Sequence, residues 1–480
     1  MTLFASHGVV VVCVGLGIFV FFWLRDSRDL FWWWREVKVA WSGYRLALAS
    51  HSAKHQERIK KDEIKTYLPK SLDDSRAFDA FQLTPSLQLK NRIIRAAAFG
   101  GSTVEELVQC HSEVARGGAA MTTIAYACVS PDGLTFKEQL MLHETSDPSI
   151  RQTLKRVVDA VHEAGAKISI QLTHGGGFAD PALAPSGRTV APSCVFNPAA
   201  MNFPEEMRQD DFVRLENDFV EAACLCQSCG FDCLELHCGH GYLLSQFLSP
   251  FTNRRCDMFG GIHRNRFPVQ ILRRIRAAVG HDFPIIVKMN VHDGFDGGVN
   301  LADVRANAKA FEEAGASMLV PSGGFVSRNG LYMLRGAVPL IPMARAMFRS
   351  SILKSIATLV FGPFFVPSTN FEEAFFRNEA RVVKATVNNI PVALVGGVIS
   401  LGLIEGALRE GFACVQMARA IIRNPDIVNE MRHSLGGGEN VTSACTRCNL
   451  CVVATLNPML PMHCVLRPRK IECDLNGRDI

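Results

Sequence analysis

Eight short apolar or β-branched runs, separated by amphipathic stretches, dominate the chain between residues 71 and 433. The runs fall at residues 93–98, 120–125, 167–172, 233–237, 285–289, 318–321, 392–395 and 414–417. Helical periodicity occupies residues 150–164, 211–229, 266–279 and 302–314 between them. Strands that alternate with helices pack as parallel strands with crossover connections. Eight such strands predict an α/β fold of the (β/α)8 TIM-barrel type, with loop insertions. A doubly wound open sheet is the alternative, but no G-x-G-x-x-G follows the first strand. Polar or glycine residues stand just past several strand ends: His174, His237, His240, residues 322–324, Gly396 and Gly397. A barrel gathers its site at that face.

Residues 233–267 read CLELHCGHGYLLSQFLSPFTNRRCDMFGGIHRNRF. This run resembles the old yellow enzyme family, in the branch that includes 2,4-dienoyl-CoA reductase and trimethylamine dehydrogenase. Other blocks follow in the family's order: LKNRIIR at residues 89–95, QLTH at 171–174, IVK at 286–288, VGG at 395–397 and MAR at 417–419. The resemblance covers residues 78–464 and implies FMN as cofactor, with NAD(P)H as reductant. It implies that Gln171 bonds the flavin's pyrimidine edge and that Lys288 sets positive charge near N1, where a reduced flavin gathers negative charge. Ala98 would lie along the flavin, while Gly396, Gly397, Ala418 and Arg419 would hold its phosphate. His237 and His240 would polarise one substrate carbonyl, and Tyr242 would protonate the adjacent carbon.

Three departures from the family pattern make substrate analogy unsafe. The first strand ends in Ala96, Ala97, Ala98 and Phe99, where the family usually has Pro and a small polar or thiol residue. The third-strand block runs into Gly175, Gly176 and Gly177 instead of reaching an Arg. An acidic residue before the N-R-F element is replaced in residues 262–265.

Cys445, Cys448, Cys451 and Cys464 have C-x2-C-x2-C-x12-C spacing. Four thiolates so spaced suit a [4Fe–4S] cluster, or less well a zinc ion. The loop also resembles the cluster loop of the larger relatives, whose C-terminal nucleotide-binding domains have no counterpart here. Electrons would then reach FMN directly from NAD(P)H, which is the simpler route, or through the cluster from a separate donor. The other cysteines read as small buried hydrophobes.

The first 24 residues contain no Asp, Glu, Lys or Arg, and residues 8–24 are almost wholly apolar. That length predicts a single-pass transmembrane helix, with Trp32, Trp33 and Trp34 at the interface. Arg25, Arg28, Arg35 and Lys38 follow it, which puts the catalytic part on the cytosolic side. The expected organisation is an anchor at 1–28, a basic helical stalk at 29–70, the barrel at 71–435 and a cysteine-rich extension at 436–480. An apolar insertion at 338–367 is interrupted by Arg345, Arg349, Lys354 and prolines. It reads as a barrel helix with a long loop, or as a lid resting on the bilayer. A net charge of +5 with no zinc-finger or RNA-binding motif gives no reason to expect nucleic acid as a partner.

The function expected from these residues is NAD(P)H-driven reduction of an activated C=C bond in an α,β-unsaturated carbonyl or acyl compound, which could be lipophilic. The alternatives are a cluster-linked amine dehydrogenase or demethylase, and a membrane-tethered flavin-binding protein without turnover. Retention of Gln171, His237, His240, Tyr242 and Lys288 together speaks against the last.

Overall fold

The structure, a computed structural model, describes residues 9–14, 17–22, 66–143, 147–347, 368–435, 437–455 and 463–467. The chain divides into two units, Met1–Lys61 and Asp62–Ile480.

The second unit holds the eight expected strands. They are β1 (Ile93–Ala98), β2 (Met121–Cys128), β3 (Lys167–Thr173), β4 (Cys233–Cys238), β5 (Ile285–His292), β6 (Met318–Gly323), β7 (Ala393–Val395) and β8 (Cys414–Met417). All are parallel, and the sheet order is β6-β5-β4-β3-β2-β1-β8-β7. A parallel bridge between Leu319 and Val392 closes the ring, and the Leu319 N–H donates to the Pro391 carbonyl at 3.1 Å.

Helices follow the strands in turn: α1 (Val104–Arg116), α2 (Pro148–Glu163), α3 (Gln209–Ser228), α4 (Arg266–Val279), α5 (Leu301–Glu313), α6 (Arg377–Thr386), α7 (Leu401–Arg409) and α8 (Ile427–His433). Their starts are chemically marked. Thr103 and Glu106 form a capping box on α1, and Asn300 and Asp303 form one on α5. Glu405 of α7 is fully buried and accepts from the Ser75 hydroxyl and the Ala77 N–H, which ties the chain before the barrel to its last helices.

Side chains alternate along each strand between the helices and the barrel interior. Leu234, Leu236 and Cys238 of β4 join Ile168, Ile170 and Leu172 of β3 in the apolar layer under the helices. Inside, the lowest layer is apolar too. Ile94, Met121, Cys233, Ile286, Met318 and Cys414 meet there, plugged from below by Leu83, Leu87 and Leu89. Those leucines come from an antiparallel hairpin, Phe81–Thr84 with Leu87–Leu89. Above this floor the interior becomes polar.

The N-terminal expectation needs correction. Val9–Val14 pairs antiparallel with Gly17–Phe22, so these residues form a hairpin and not a helix. A run of valines favours extended backbone over helix. Among the described residues no helix is long and apolar enough to cross a membrane. The predicted stalk lies almost wholly outside the described residues, as do residues 348–367 of the apolar insertion. The described start of that insertion carries a helix, Leu340–Met347. Residues 437–455 dock on the barrel through a bridge between Ser400 and Thr442 and a bond from the Ala337 N–H to the Arg447 carbonyl at 3.1 Å.

The floor supports everything above it. Leu89→Ala removes a fully buried side chain from a closed space and is expected to lower stability by about 2–5 kcal/mol in chemical denaturation.

Candidate active site

Above the floor, β3, β4, β5 and β8 contribute Gln171, Glu235, Lys288 and Gln416 to one buried layer. Glu235 is its hub. One carboxylate oxygen accepts from Lys288 Nζ at 2.8 Å and Gln171 Nε2 at 2.7 Å; the other accepts from Gln416 Nε2 at 3.2 Å. Two residues on, the strand period of two brings His237 to the same interior face.

The chain then turns sharply through Gly239, His240 and Gly241. His240 is held at φ 60° and Gly241 at φ 81°. A left-handed histidine is unfavourable, so its surroundings must fix it. The His240 N–H donates to Asn290 Oδ1 at 2.9 Å, and its ring Nε2 pairs with the Ser322 hydroxyl at 2.7 Å. Asn290 in turn donates to Asp293 Oδ1 at 2.7 Å and to the Gly324 carbonyl at 2.8 Å. A Cβ on Gly241 would lie 2.5 Å from the Phe325 ring, so the turn also requires glycine there.

This brings the three predicted catalytic side chains together. The His237 and His240 rings lie 5.0 Å apart, and the Tyr242 ring lies 4.9 Å from His237. His237 and Tyr242 are buried, and His240 is half-buried at the mouth of the turn. Burial, aided by the charge of Lys288, lowers His240 to about 3. Burial, His240 and Lys288 hold His237 well below its ordinary value. Both rings are therefore neutral near pH 7, each with an N–H to donate. Burial raises the Tyr242 phenol well above its usual range, so it keeps its proton.

Tyr126 adds a second phenol. The pairing of β2 with β3 slips between Ile124 and Ala127, and Tyr126 takes φ 30°. A bulge of this kind re-aims a side chain. The Tyr126 ring reaches 6.0 Å from Tyr242 and 6.2 Å from Phe99, and its carbonyl accepts from Gln139 Nε2 at 2.8 Å. The glycines after β3 also find a reason. Gln246 donates to the Gly175 carbonyl and accepts from the Gly177 N–H, each at 3.0 Å. A Cβ on Gly176 would stand 2.4 Å from its amide oxygen. His174 does not join the catalytic group, because its Nε2 faces Asp132 at 3.3 Å.

At the ends of β7 and β8, Gly396 and Gly397 have φ 98° and 76°. Arg419 lies close by in the fold but is differently engaged from the expectation. Its guanidinium bonds the Leu334 carbonyl, the Arg335 carbonyl at 3.0 Å and Asn449 Oδ1 at 2.7 Å. Asn449 also donates to the Arg335 and Ala337 carbonyls. Arg335 lies 4.3 Å over the Phe375 ring. Ala98 ends β1, its carbonyl accepting from Arg95 at 3.1 Å.

The family model for NADH:flavin oxidoreductase / NADH oxidase proteins matches residues 77–329. The chain belongs to this family. A 4,4'-dithiodibutanoate disulfide reductase of Rhodococcus erythropolis is 36% identical, over 78% of this chain and 92% of that protein. An NADH oxidase of Thermoanaerobacter brockii is 30% identical over 80% of this chain, which spans 54% of the length of that protein. Among solved structures, a 2-naphthoyl-CoA reductase complex superposes with a TM-score of 0.67 at 21% identity, covering 82% of this chain and 57% of that one. Morphinone reductase does so with a TM-score of 0.57 at 21% identity, covering 75% and 90%. At such identities these likenesses speak for the barrel alone.

As an NADH:flavin oxidoreductase, the chain carries a donor set that fits FMN. Thr173 Oγ1, His237 Nδ1 and Gln416 Oε1 are buried at the polar levels of the interior without a hydrogen-bond partner among the described residues. Such atoms are costly unless a ligand meets them. Gln171 and Lys288 stand beside them, so a planar group with polar edges suits this layer.

The cysteine expectation is corrected. Cys445, Cys448, Cys451 and Cys464 are free thiols, and no group of three or more His, Cys, Asp or Glu among the described residues could hold a metal ion. Left-handed Arg447 and Asn449 turn this loop onto residues 335–337. Burial pushes the Cys451 thiol up to about 11, with the other three thiols adding to it against the pull of Arg419.

Reasoning from sequence missed Glu235, Tyr126 and Asn290, and marked Ser322 only as a polar residue at a strand end. Of those missed, only Glu235 left a local trace, standing two residues before His237 on the same strand face.

Because the folded pKa of His240 lies below its unfolded value near 6.5, the unfolded chain binds more protons at acid pH. Its contribution is intact above pH 6.5, and stability falls toward pH 3 by about 1.4 kcal/mol per unit. His240→Asn is expected to flatten that loss in denaturation curves taken from pH 7 to 4.

Proposed function

We propose that this chain is an FMN-dependent oxidoreductase that uses NAD(P)H to reduce the activated C=C bond of an α,β-unsaturated carbonyl or acyl compound. The observation that carries the reading is the neutral pair His237 and His240, 5.0 Å apart, with the protonated Tyr242 beside them. When bound, FMN supplies two-electron hydride exchange with nicotinamide and substrate.

Gln171 and Lys288 would hold the pyrimidine side of FMN, with the backbone about Gly396, Gly397 and Ala418 near its phosphate. His237 and His240 donate to one carbonyl oxygen, which draws electron density from the conjugated bond. The β-carbon then accepts hydride, and Tyr242 delivers a proton to the α-carbon. Asn290 and Ser322 keep His240 aimed throughout. Burial keeps water from competing for the two imidazoles.

The disulfide reductase relative supports a second reading, in which the acceptor is an organic disulfide. Two electrons and two protons then give two thiols. Anaerobic mixing separates the two. NADPH or NADH should bleach the visible flavin band, and 2-cyclohexenone should restore it. Restoration by 4,4'-dithiodibutanoate alone would favour the second reading, and a protein that no nicotinamide bleaches would remove both. Tyr242→Phe is expected to slow enone-driven reoxidation on the order of 10²-fold while leaving bleaching by the nicotinamide near the native rate.

We also propose that residues 1–24 attach the chain to a bilayer, with the barrel on the cytosolic side. The support is their lack of Asp, Glu, Lys and Arg and the basic residues that follow, not a spanning helix. Full-length protein should float with liposomes and a 25–480 chain should not; equal flotation would refute it.

A further inference from the structure

We propose that Glu235 sets the reduction potential of the bound flavin by opposing the charge of Lys288. The inference rests on the FMN reading above. It makes Glu235 a positioning residue that acts through Lys288 and Gln171, not an acid or base.

The placement is specific. Glu235 sits at the polar level of the barrel, between the apolar floor that includes Cys233 and the catalytic level of His237. Its carboxylate gathers three side chains from three different strands: Lys288, Gln171 and Gln416. Two of these, Lys288 and Gln171, are the groups that would meet the flavin's pyrimidine edge. The Lys288 and Glu235 side chains are 3% and 1% exposed, so water and salt screen neither charge well.

Stability does not account for the pair. Burying a lysine and a glutamate together usually gains little over well-packed apolar side chains. The floor beneath, filled by Ile94, Met121, Ile286 and Met318, shows that this barrel packs apolar residues readily. A charge pair directly above that floor calls for another reason.

The flavin's own electrostatics supplies one. Two-electron reduction at neutral pH takes up two electrons and one proton and leaves one added negative charge on the pyrimidine ring. Lys288 alone would favour that state strongly. A carboxylate 2.8 Å from its ammonium cancels part of the field and lowers the potential. The cofactor then gives electrons up more readily to a weak acceptor, while the two amides stay in place.

The test reads the potential of the holoprotein directly. Wild type and variants are titrated anaerobically with dithionite in the presence of phenosafranin, and the ratio of reduced to oxidised FMN is read at a fixed dye poise. Glu235→Gln keeps the shape and removes the charge. It should raise the ratio about tenfold, which is about 30 mV for a two-electron couple. Glu235→Asp keeps the charge but draws it back by one methylene, and should raise the ratio about threefold. An unchanged or lower ratio in Glu235→Gln overturns the proposal. If that variant does not accumulate as a folded FMN protein, Glu235→Asp decides, and an unchanged or lower ratio there overturns it equally. A wild-type chain that binds no FMN overturns the flavin reading itself; bound FMN with an unmoved potential overturns only the role of Glu235.

Discussion

A closed ring of eight strands divides every strand into two sets of side chains, and this division organises the rest of the molecule. One set must satisfy the surrounding helices and the other must fill a narrow interior. On β4 the outer set is Leu234, Leu236 and Cys238, and the inner set is Cys233, Glu235 and His237. The inner set climbs from a thiol, through a carboxylate, to an imidazole within one strand. Neighbouring strands match it level by level, so the interior is a stack of layers with different chemistry. The floor excludes water from the polar layer, and the polar layer fixes the geometry above it.

Much of this stack could be read from the chain. Short apolar or β-branched runs and intervening helical stretches placed all eight strands within a few residues, because both signals are local. The candidate histidines stood out because they sit at a strand end, the edge where a barrel collects function, inside the run that resembles the family. What holds them did not. Asn290 and Ser322 support His240 from β5 and β6, far along the chain, and nothing in residues 237–242 names them. The bulge at Tyr126 and the left-handed backbone at His240 are likewise answers to tertiary contacts. Arg419 looked like a phosphate ligand by position, yet Asn449 and the carbonyls of residues 334 and 335 engage it. At the N-terminus length and hydropathy pointed to a helix, while the valine run pairs as a hairpin.

The site is a mixture of permanent and adaptable parts. The imidazoles, the glycine turn and the Glu235 hub are fixed from several sides. The aromatic side chains around them, Phe99, Tyr126 and Phe178, come from loops or irregular strand ends. Relatives of the chain are named a disulfide reductase, an NADH oxidase and a metal reductase. A site fixed by strands and rimmed by loop-borne aromatics leaves the fit of an acceptor to the rim.

The pairing of β8 with β1 sets an order on biosynthesis. Met417 meets Arg95, and the ring cannot shut until almost the whole barrel has left the ribosome. Until then the first strand offers one bare edge, exposed to other nascent chains. Gln416 is the partner of Glu235 that the chain supplies last. The charged layer is thus completed last, so a chain stalled before residue 414 would carry Lys288 and Glu235 without the strand that seals them.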